Sequence, residues 1–464
     1  LAGSPGARGE PLDDWVLRFV RVPIDRAAPH PNETQDRTPS GASEFARAFA
    51  IAAVVAVPWI VWRLRRLGVP IDFAVYRTGG LHGLHAVDLY VRQSAHVPIS
   101  GFGQTYVIQH TFSYPPFSAL TFVPLVFVPA WVGVLVWELG SLAALVALVR
   151  ISFREALDEV RYPWTVCGAI ASVAVLTTPV TDTLYFGQVN LFIVLLVVAD
   201  QMNAGRWRGV GTGVAAAMKL TPLPFILLFV MTKQWRAAIR AGAASAVATA
   251  VAWAVLPAAS WSYWTDPSAA LRRVGGIDTF ANQSLHGMFA VLGLPMWPLP
   301  IAVVGLSVAG LLLARREYLA GRTLAAVSCV GLLTLLISPV SWVHHAVWIV
   351  PVAGVVVAEG RCVARIALAA AIAALFILRV PLFGSVLLSN GDSPFLGHLL
   401  EIVDVLVYLA LLATLALTAR PRRGLGNAPS VERLSPGARI PRRHRASRSR
   451  SARRWRLRSG WRDR

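Results

Sequence analysis

Acidic residues are few in this 464-residue chain: 24 Asp and Glu stand against 44 Lys and Arg, and only 15% of positions are charged while 55% are hydrophobic. Mean hydropathy is +0.57, and the apolar residues gather in repeated stretches of membrane-spanning length, which excludes a soluble globular protein. Cysteine is scarcer still. Cys167, Cys329 and Cys362 lie in or beside apolar segments at no metal-ligand spacing, so neither a disulfide framework nor a zinc site is supported. Compact oxygen-ligand clusters such as Asp-x-Asp are missing from the candidate outer loops, and no metal or cofactor is implied. Residues 1–43 lack the charged, apolar, then small-residue order of a cleaved leader and read as a disordered cytosolic extension.

The charge that is present is concentrated. Of a formal net charge of +20, residues 421–464 supply 13, as 15 Arg against Glu432 and Asp463. Such a low-complexity tail, from about residue 420 onward, reads as disordered and cytosolic, drawn to anionic membrane lipids rather than to nucleic acid. Between the two tails, residues 44–419 form one all-α, polytopic membrane domain whose apolar segments amount to about 10–12 crossings. Polar stretches at 67–114, 257–283 and 382–398 interrupt it. With the Arg-rich tail inside, counting basic flanks backward places the last two of these stretches and the 338–345 turn outside.

Two places resist that count. Arg63, Arg65 and Arg66 end the first apolar segment on what should be its outer side. The segment at 209–231 has basic residues at both ends, and Lys219-Leu220-Thr221-Pro222-Leu223-Pro224 inside it predicts a broken or re-entrant helix lining a polar cavity.

Candidate chemistry collects near the outer loops. Asp72, in Ile71-Asp72-Phe73-Ala74-Val75-Tyr76-Arg77, is a lone carboxylate at a membrane boundary, suited to deprotonating a hydroxyl; capping a helix is its plainer role. The stretch from Asp72 to Tyr90 predicts one or two short interfacial helices broken at Gly79-Gly80. Tyr114-Pro115-Pro116 is ordinary punctuation at a helix start. Phe186-Gly187-Gln188-Val189-Asn190 puts two amides at the start of an apolar helix, where they need partners, whether another helix or a substrate. Lys219 is costly to bury without an anionic partner, unless it snorkels. Asn282-Gln283-Ser284-Leu285-His286-Gly287 offers several donors and acceptors, and its first three residues match a glycosylation sequon, as do Asn32-Glu33-Thr34. In Ser338-Pro339-Val340-Ser341-Trp342-Val343-His344-His345, adjacent imidazoles at a helix start suit a phosphate better than a metal, because neighbouring helical residues diverge by about 100°.

In their shared order these motifs resemble glycosyltransferase family 87, integral-membrane transferases of the C-type (GT-C) fold that use polyprenyl-phosphate sugars as donors. The similarity spans about residues 45–419. It implies a plasma-membrane enzyme with its active site facing the periplasm or cell exterior. The implied reaction is an inverting transfer of mannose from polyprenyl-phosphate-mannose to a mannoside lipid or lipoglycan acceptor, forming an α-1,2 linkage; some members transfer arabinofuranose instead. On this reading Asp72 is the catalytic base, and His344 or His345 receives the donor phosphate, with Lys219 or Arg77 as alternatives. Tyr76, Tyr114, Gln188, Asn190, Asn282, Gln283, His286 and Trp342 contact substrate. A transporter or flippase would use Lys219 and the broken helix as pathway elements.

Overall fold

The computed structural model describes residues 41–86, 88–90, 93–99, 104–110, 112–266, 276–358 and 363–418. Residues 1–40 of the expected disordered extension, the Arg-rich tail, the Asn32 sequon and Cys362 lie outside these residues, whereas residues 41–43, also expected to be disordered, open the first helix. Four helices are long and apolar enough to cross a membrane: α1 (Gly41–Leu67), α4 (Ala130–Ser152), α10 (Trp235–Val255) and α13 (Leu299–Leu319). Three further candidates are bent pairs. They are α5 (Pro163–Leu176) with α6 (Thr178–Phe186) at 74°, α16 (Val363–Ile377) with α17 (Val380–Ser389) at 40°, and α18 (Pro394–Glu401) with α19 (Val403–Thr418) at 54°. The 10–12 crossings read from the sequence therefore require shorter apolar helices to cross as well, among them α7 (Asn190–Met202) and α14 (Thr323–Ile337).

Small residues set the packing. Ala48, Ala52 and Ala56 recur every fourth residue on α1 and are fully buried, and a Cβ on Gly168 of α5 would meet Ala48 O at 2.8 Å. Such close approach is the usual basis of helix association in lipid, where apolar burial offers little contrast with the solvent.

The interrupted segment is a hairpin of two half-length helices, α8 (Val210–Met218) and α9 (Leu223–Met231). Nine residues rise only about 13 Å, well short of a hydrocarbon core of about 30 Å. Lys219 breaks the first arm in an extended conformation, and Pro222 and Pro224 start the second. At the base, the Asp200 carboxylate accepts from the Gly209 and Thr212 amides and the Thr212 hydroxyl, capping α8. Both basic flanks lie at that base: Arg240 Nη1 donates to Arg208 O at 3.5 Å, and Arg315 Nε donates to Met231 O at 3.1 Å. The conflict in the charge count is thereby removed, since a hairpin brings both ends to one side.

The helix carrying Asp72, α2 (Ile71–His85), is continuous, contrary to the break expected at Gly79-Gly80. Its glycines serve close approach: a Cβ on Gly79 would meet the Phe112 ring at 2.5 Å, and one on Gly80 the Phe122 carbonyl oxygen at 2.6 Å. An antiparallel hairpin, β1 (Gln93–Ile99) with β2 (Gln104–His110), follows α2, paired from Gln93↔His110 to Ile99↔Gln104. It is the one strand pair among the described residues of an otherwise helical fold. Helix α3 (Pro116–Phe122) and a 3-10 turn, Val123–Val126, lead back to α4.

Arg63, the first of the misplaced basic residues, is 4% exposed. It donates to Gly68 O at 2.7 Å, lies 5.4 Å from the Tyr185 ring centroid and has Glu138 as its electrostatic partner. Packing rather than topology accounts for that arginine; Arg65 and Arg66 remain exposed.

Candidate active site

The site is assembled where several helix ends meet. Gly187, in the left-handed region at φ +70°, ends α6, and the Gln188 amide closes the turn onto Thr183 O at 2.8 Å. A Cβ there would meet Pro70 and Phe73 at 2.8 and 2.9 Å, so only glycine allows α6 to end against the start of α2. The Trp137 indole holds Gly187 O at 2.8 Å. Gln188 is thereby turned onto Asp72, while Asn190, two residues on, opens α7.

Two tyrosines fix the Gln188 amide. The hydroxyls of Tyr76 and Tyr114 lie 2.9 Å apart, and both reach Gln188 Oε1, at 2.8 and 3.1 Å. Phenols donating to the amide oxygen leave its NH2 for Asp72, and Gln188 Nε2 donates to Asp72 Oδ2 at 2.7 Å. Burial raises both phenols above their usual range, so they remain protonated donors. Tyr76 stacks on Phe122 with centroids 4.4 Å apart, and the Tyr90 hydroxyl holds the Tyr114 main chain by donating to its carbonyl oxygen at 2.8 Å.

Asp72 does not cap its helix; Pro70 holds that position. Burial pushes its carboxyl up to about 7, against the opposing pull of the Gln188 hydrogen bond and the Lys219 charge. A carboxyl held there changes its charge near neutrality, the range in which proton abstraction would call on it.

A basic cluster lies beside the acid. Lys219, one of two lysines in the chain, donates to Asn190 Oδ1 at 2.7 Å and lies 3.2 Å from His345 Nε2, with the Tyr114 ring 5.7 Å away. Its place at the hairpin's tip follows from the end of α8 at Met218, where Lys219 turns extended and its side chain is only partly accessible. Asn190 Nδ2 and Thr183 Oγ1 both donate to His344 O, at 2.9 and 3.2 Å, tying the 3-10 turn Val343–Trp348 to α6 and α7. Among the described residues, His344 Nε2 and His345 Nδ1 are buried without hydrogen-bond partners. A cavity of about 20 Å³ adjoins His345, with Asn190, Lys219, Thr221, Thr334 and Ser341 on its polar wall and Ile193, Val194, Leu335 and Trp348 on its apolar one.

Of the residues singled out from the sequence, Asp72, Tyr76, Tyr114, Gln188, Asn190, Lys219, His344 and His345 come together. Others are engaged elsewhere. Arg77 donates to Leu125 O, Val126 O and Val128 O at 3.2 to 3.5 Å, capping the 3-10 turn, so a phosphate would have to displace these bonds. Asn282 and Gln283 lace an outer turn: Asn282 Nδ2 donates to Ile277 O and Pro339 O, its Oδ1 accepts from Ser341 N, and Gln283 Nε2 donates to Glu401 O at 2.6 Å. Trp342 bridges to Asn282 through the backbone. His286 lies 3.2 Å from Asp278. The Asn282 side chain is 2% exposed and Ser284 fully buried, so this sequon is inaccessible to glycosylation in the folded chain. Asn282→Ala strands buried partners and is expected to cost about 1–3 kcal/mol, read as a lowered thermal midpoint of the purified protein.

Thr183 and Trp137 were not evident from the sequence. A threonine and a tryptophan within apolar runs carry no local signal; only the turn at Gly187 reveals them.

Within a bundle of apolar helices, a carboxylate and a cationic cluster thus converge at one end. The model of glycosyltransferase family 87 matches residues 112–339. Similar proteins include the polyprenol-phosphate-mannose-dependent α-(1-2)-phosphatidylinositol pentamannoside mannosyltransferase of Mycolicibacterium smegmatis, 32% identical over 288 residues, 58% of this chain and 69% of that one. The same organism's polyprenol-phosphate-mannose-dependent α-(1-2)-phosphatidylinositol mannoside mannosyltransferase is 30% identical over 66% of this chain and 74% of its own. An α-(1->3)-arabinofuranosyltransferase of Corynebacterium glutamicum is 28% identical over 51% of this chain and 58% of its own. No solved structure gives a significant match. The chain belongs to glycosyltransferase family 87 and is a glycosyltransferase. Asp72, His344 and His345 lie outside the matched range, and their place in the site rests on the contacts above.

Proposed function

We propose that this enzyme transfers mannose from a polyprenyl-phosphate-mannose donor to a mannoside of a cell-envelope glycolipid or lipoglycan, with inversion and formation of an α-1,2 linkage. The mannosyltransferase relatives support the sugar and the donor. The observation that carries the chemistry is Asp72 held through one oxygen by Gln188 beside the Lys219 and His345 pair.

A sugar on phosphate already has a good leaving group, so one carboxylate suffices where glycoside hydrolases need two. The acceptor oxygen attacks the anomeric carbon from the face opposite phosphate, and its proton passes to Asp72. As the new carbon–oxygen bond forms, the bond to phosphate breaks and its electron pair leaves with polyprenyl phosphate. Lys219 and His345 stabilise the charge arriving on that phosphate. Asn190 and Gln188, two residues apart on one turn, hold the cationic cluster and the base in a fixed relation.

The site faces the exterior of the plasma membrane and the C-terminal tail the cytosol. The basic turns at the hairpin's base support this orientation, where Arg208 meets Arg240 and Arg316 Nη2 donates to Ala416 O at 2.6 Å, against the two exposed arginines, Arg65 and Arg66, that precede the Asp72 helix.

Only the ionised form of Asp72 accepts a proton, so kcat/KM is expected to fall below about pH 7 and to level off above it. The Gln188 hydrogen bond lowers the carboxyl's pKa. Gln188→Leu should therefore move this acid limb to higher pH, with a greater loss at pH 6.5 than at pH 8.5. An unmoved limb in a pH profile of the variant would remove Asp72 as the group that titrates.

Purified protein incubated with radiolabelled polyprenyl-phosphate-mannose and a phosphatidylinositol mannoside is expected to move label into the acceptor through an α-1,2 bond. Consumption of polyprenyl-phosphate-arabinose in preference would overturn the assignment of the sugar. Movement of donor across a vesicle without a new bond would overturn the assignment of a transferase reaction.

A further inference from the structure

A second cavity, about 630 Å³, is an open-sided apolar groove along α8 and α10, outside the active site. It exists because of small residues. A Cβ on Gly209 or Gly213 would meet Ala237 O or Ala241 O at 2.2 Å, so α8 lies directly on the start of α10. Further along, Ala243, Ala244 and Ala248 leave a channel beside a helix that stops at Lys219.

The groove is polarised. Arg206, Trp207 and Arg240 stand at one end, Phe117 and Val251 at the other, and no acid lines it. Arg206 lies 5.5 Å from the Trp207 ring centroid, and neither Arg206 nor Arg240 makes an ion pair among the described residues. From Arg240 to Val251, α10 rises about 16 Å, roughly half of the ~30 Å hydrocarbon core and hence the depth of one leaflet. Its basic end is at the base of α8, whereas Lys219 is at the tip, about 13 Å away along the helix. A donor whose phosphate reacts at Lys219 cannot place that same phosphate at Arg206.

We propose that this groove binds one anionic glycerophospholipid of the leaflet at the hairpin's base, with its phosphate between Arg206 and Arg240 and an acyl chain along α10. Arginine suits phosphate oxygens through paired donors, and Trp207 sits at the depth of the headgroup where indoles prefer to lie. The lipid fills the open side of the groove between α8 and α10, bracing the arm that carries Lys219.

The test uses full-length protein in phosphatidylcholine vesicles doped with phosphatidylglycerol bearing a diazirine near the end of one acyl chain. Photolysis is expected to label Val214, Val247 and Val251, with competition by unlabelled phosphatidylglycerol. Removing both basic contacts in Arg206→Gln/Arg240→Gln should cut this labelling roughly tenfold or more, whereas Arg65→Gln/Arg66→Gln should leave it unchanged. Equal labelling by a diazirine phosphatidylcholine, or labelling that survives the Arg206→Gln/Arg240→Gln change, would overturn the proposal. Displacement by polyprenyl phosphate but not by phosphatidylglycerol would instead give the groove to the donor's chain, and would also overturn it.

Discussion

Asp72→Asn is expected to lower kcat by a factor of roughly 10² to 10⁴, the range general-base assistance usually supplies, while the protein inserts and folds as before. The side chains are nearly the same size, and the Gln188 NH2 that donates to Asp72 Oδ2 can donate to the amide oxygen instead. What is lost is the ability to take a proton. Burial already disfavours the charge, so replacing the carboxylate with a neutral amide should leave the thermal midpoint unchanged or slightly raised. Loss of transfer without loss of stability is the signature of a residue kept for chemistry. An Asp72→Asn enzyme with full activity would end its assignment as the base.

Lys219→Met is expected to cost about 10² to 10³ in kcat, comparable to removing one preorganised donor from a developing oxyanion. Its ammonium holds Asn190 and His345 at 2.7 and 3.2 Å, so it is fixed before any substrate arrives and needs little reorganisation as charge reaches the phosphate. The lysine also opposes the upward push of burial on Asp72. The variant's acid limb should therefore move to higher pH along with the fall in rate. Lys219→Arg should restore the limb more fully than the rate, because a planar guanidinium supplies the charge without the compact ammonium's fit between Asn190 and His345. A purely structural lysine would change stability and leave the pH profile in place.

Much of the site could be read from the sequence because its parts break local rules. A lysine followed by two prolines inside an apolar run, two amides opening an apolar helix and a pair of imidazoles each carry a cost that packing alone does not repay. Their convergence is seen in the bonds from Lys219 to Asn190 and from Asn190 to His344 O. Other features depended on long-range neighbours. Gly79 and Gly80 read as helix breakers, but they lie against Phe112 and Phe122, and the helix runs through them. Arg77 carries the charge a phosphate site needs, yet its guanidinium bonds carbonyls 48 to 51 residues away. Asn282 and Gln283 resemble a binding loop because the polar groups that hold a turn together are those that would hold a sugar. Arg63 contradicted the charge count until burial against Gly68 and Tyr185 removed it from the surface.

If Asp72 acts only by taking the proton of an attacking hydroxyl, it becomes dispensable when the nucleophile is azide, which attacks as an anion with no proton to lose. With polyprenyl-phosphate-mannose and azide, purified Asp72→Ala is expected to form mannosyl azide of inverted configuration as fast as wild type does, while failing to glycosylate a mannoside. Mannosyl azide of retained configuration, or none at all from a variant that still binds donor, would contradict that role.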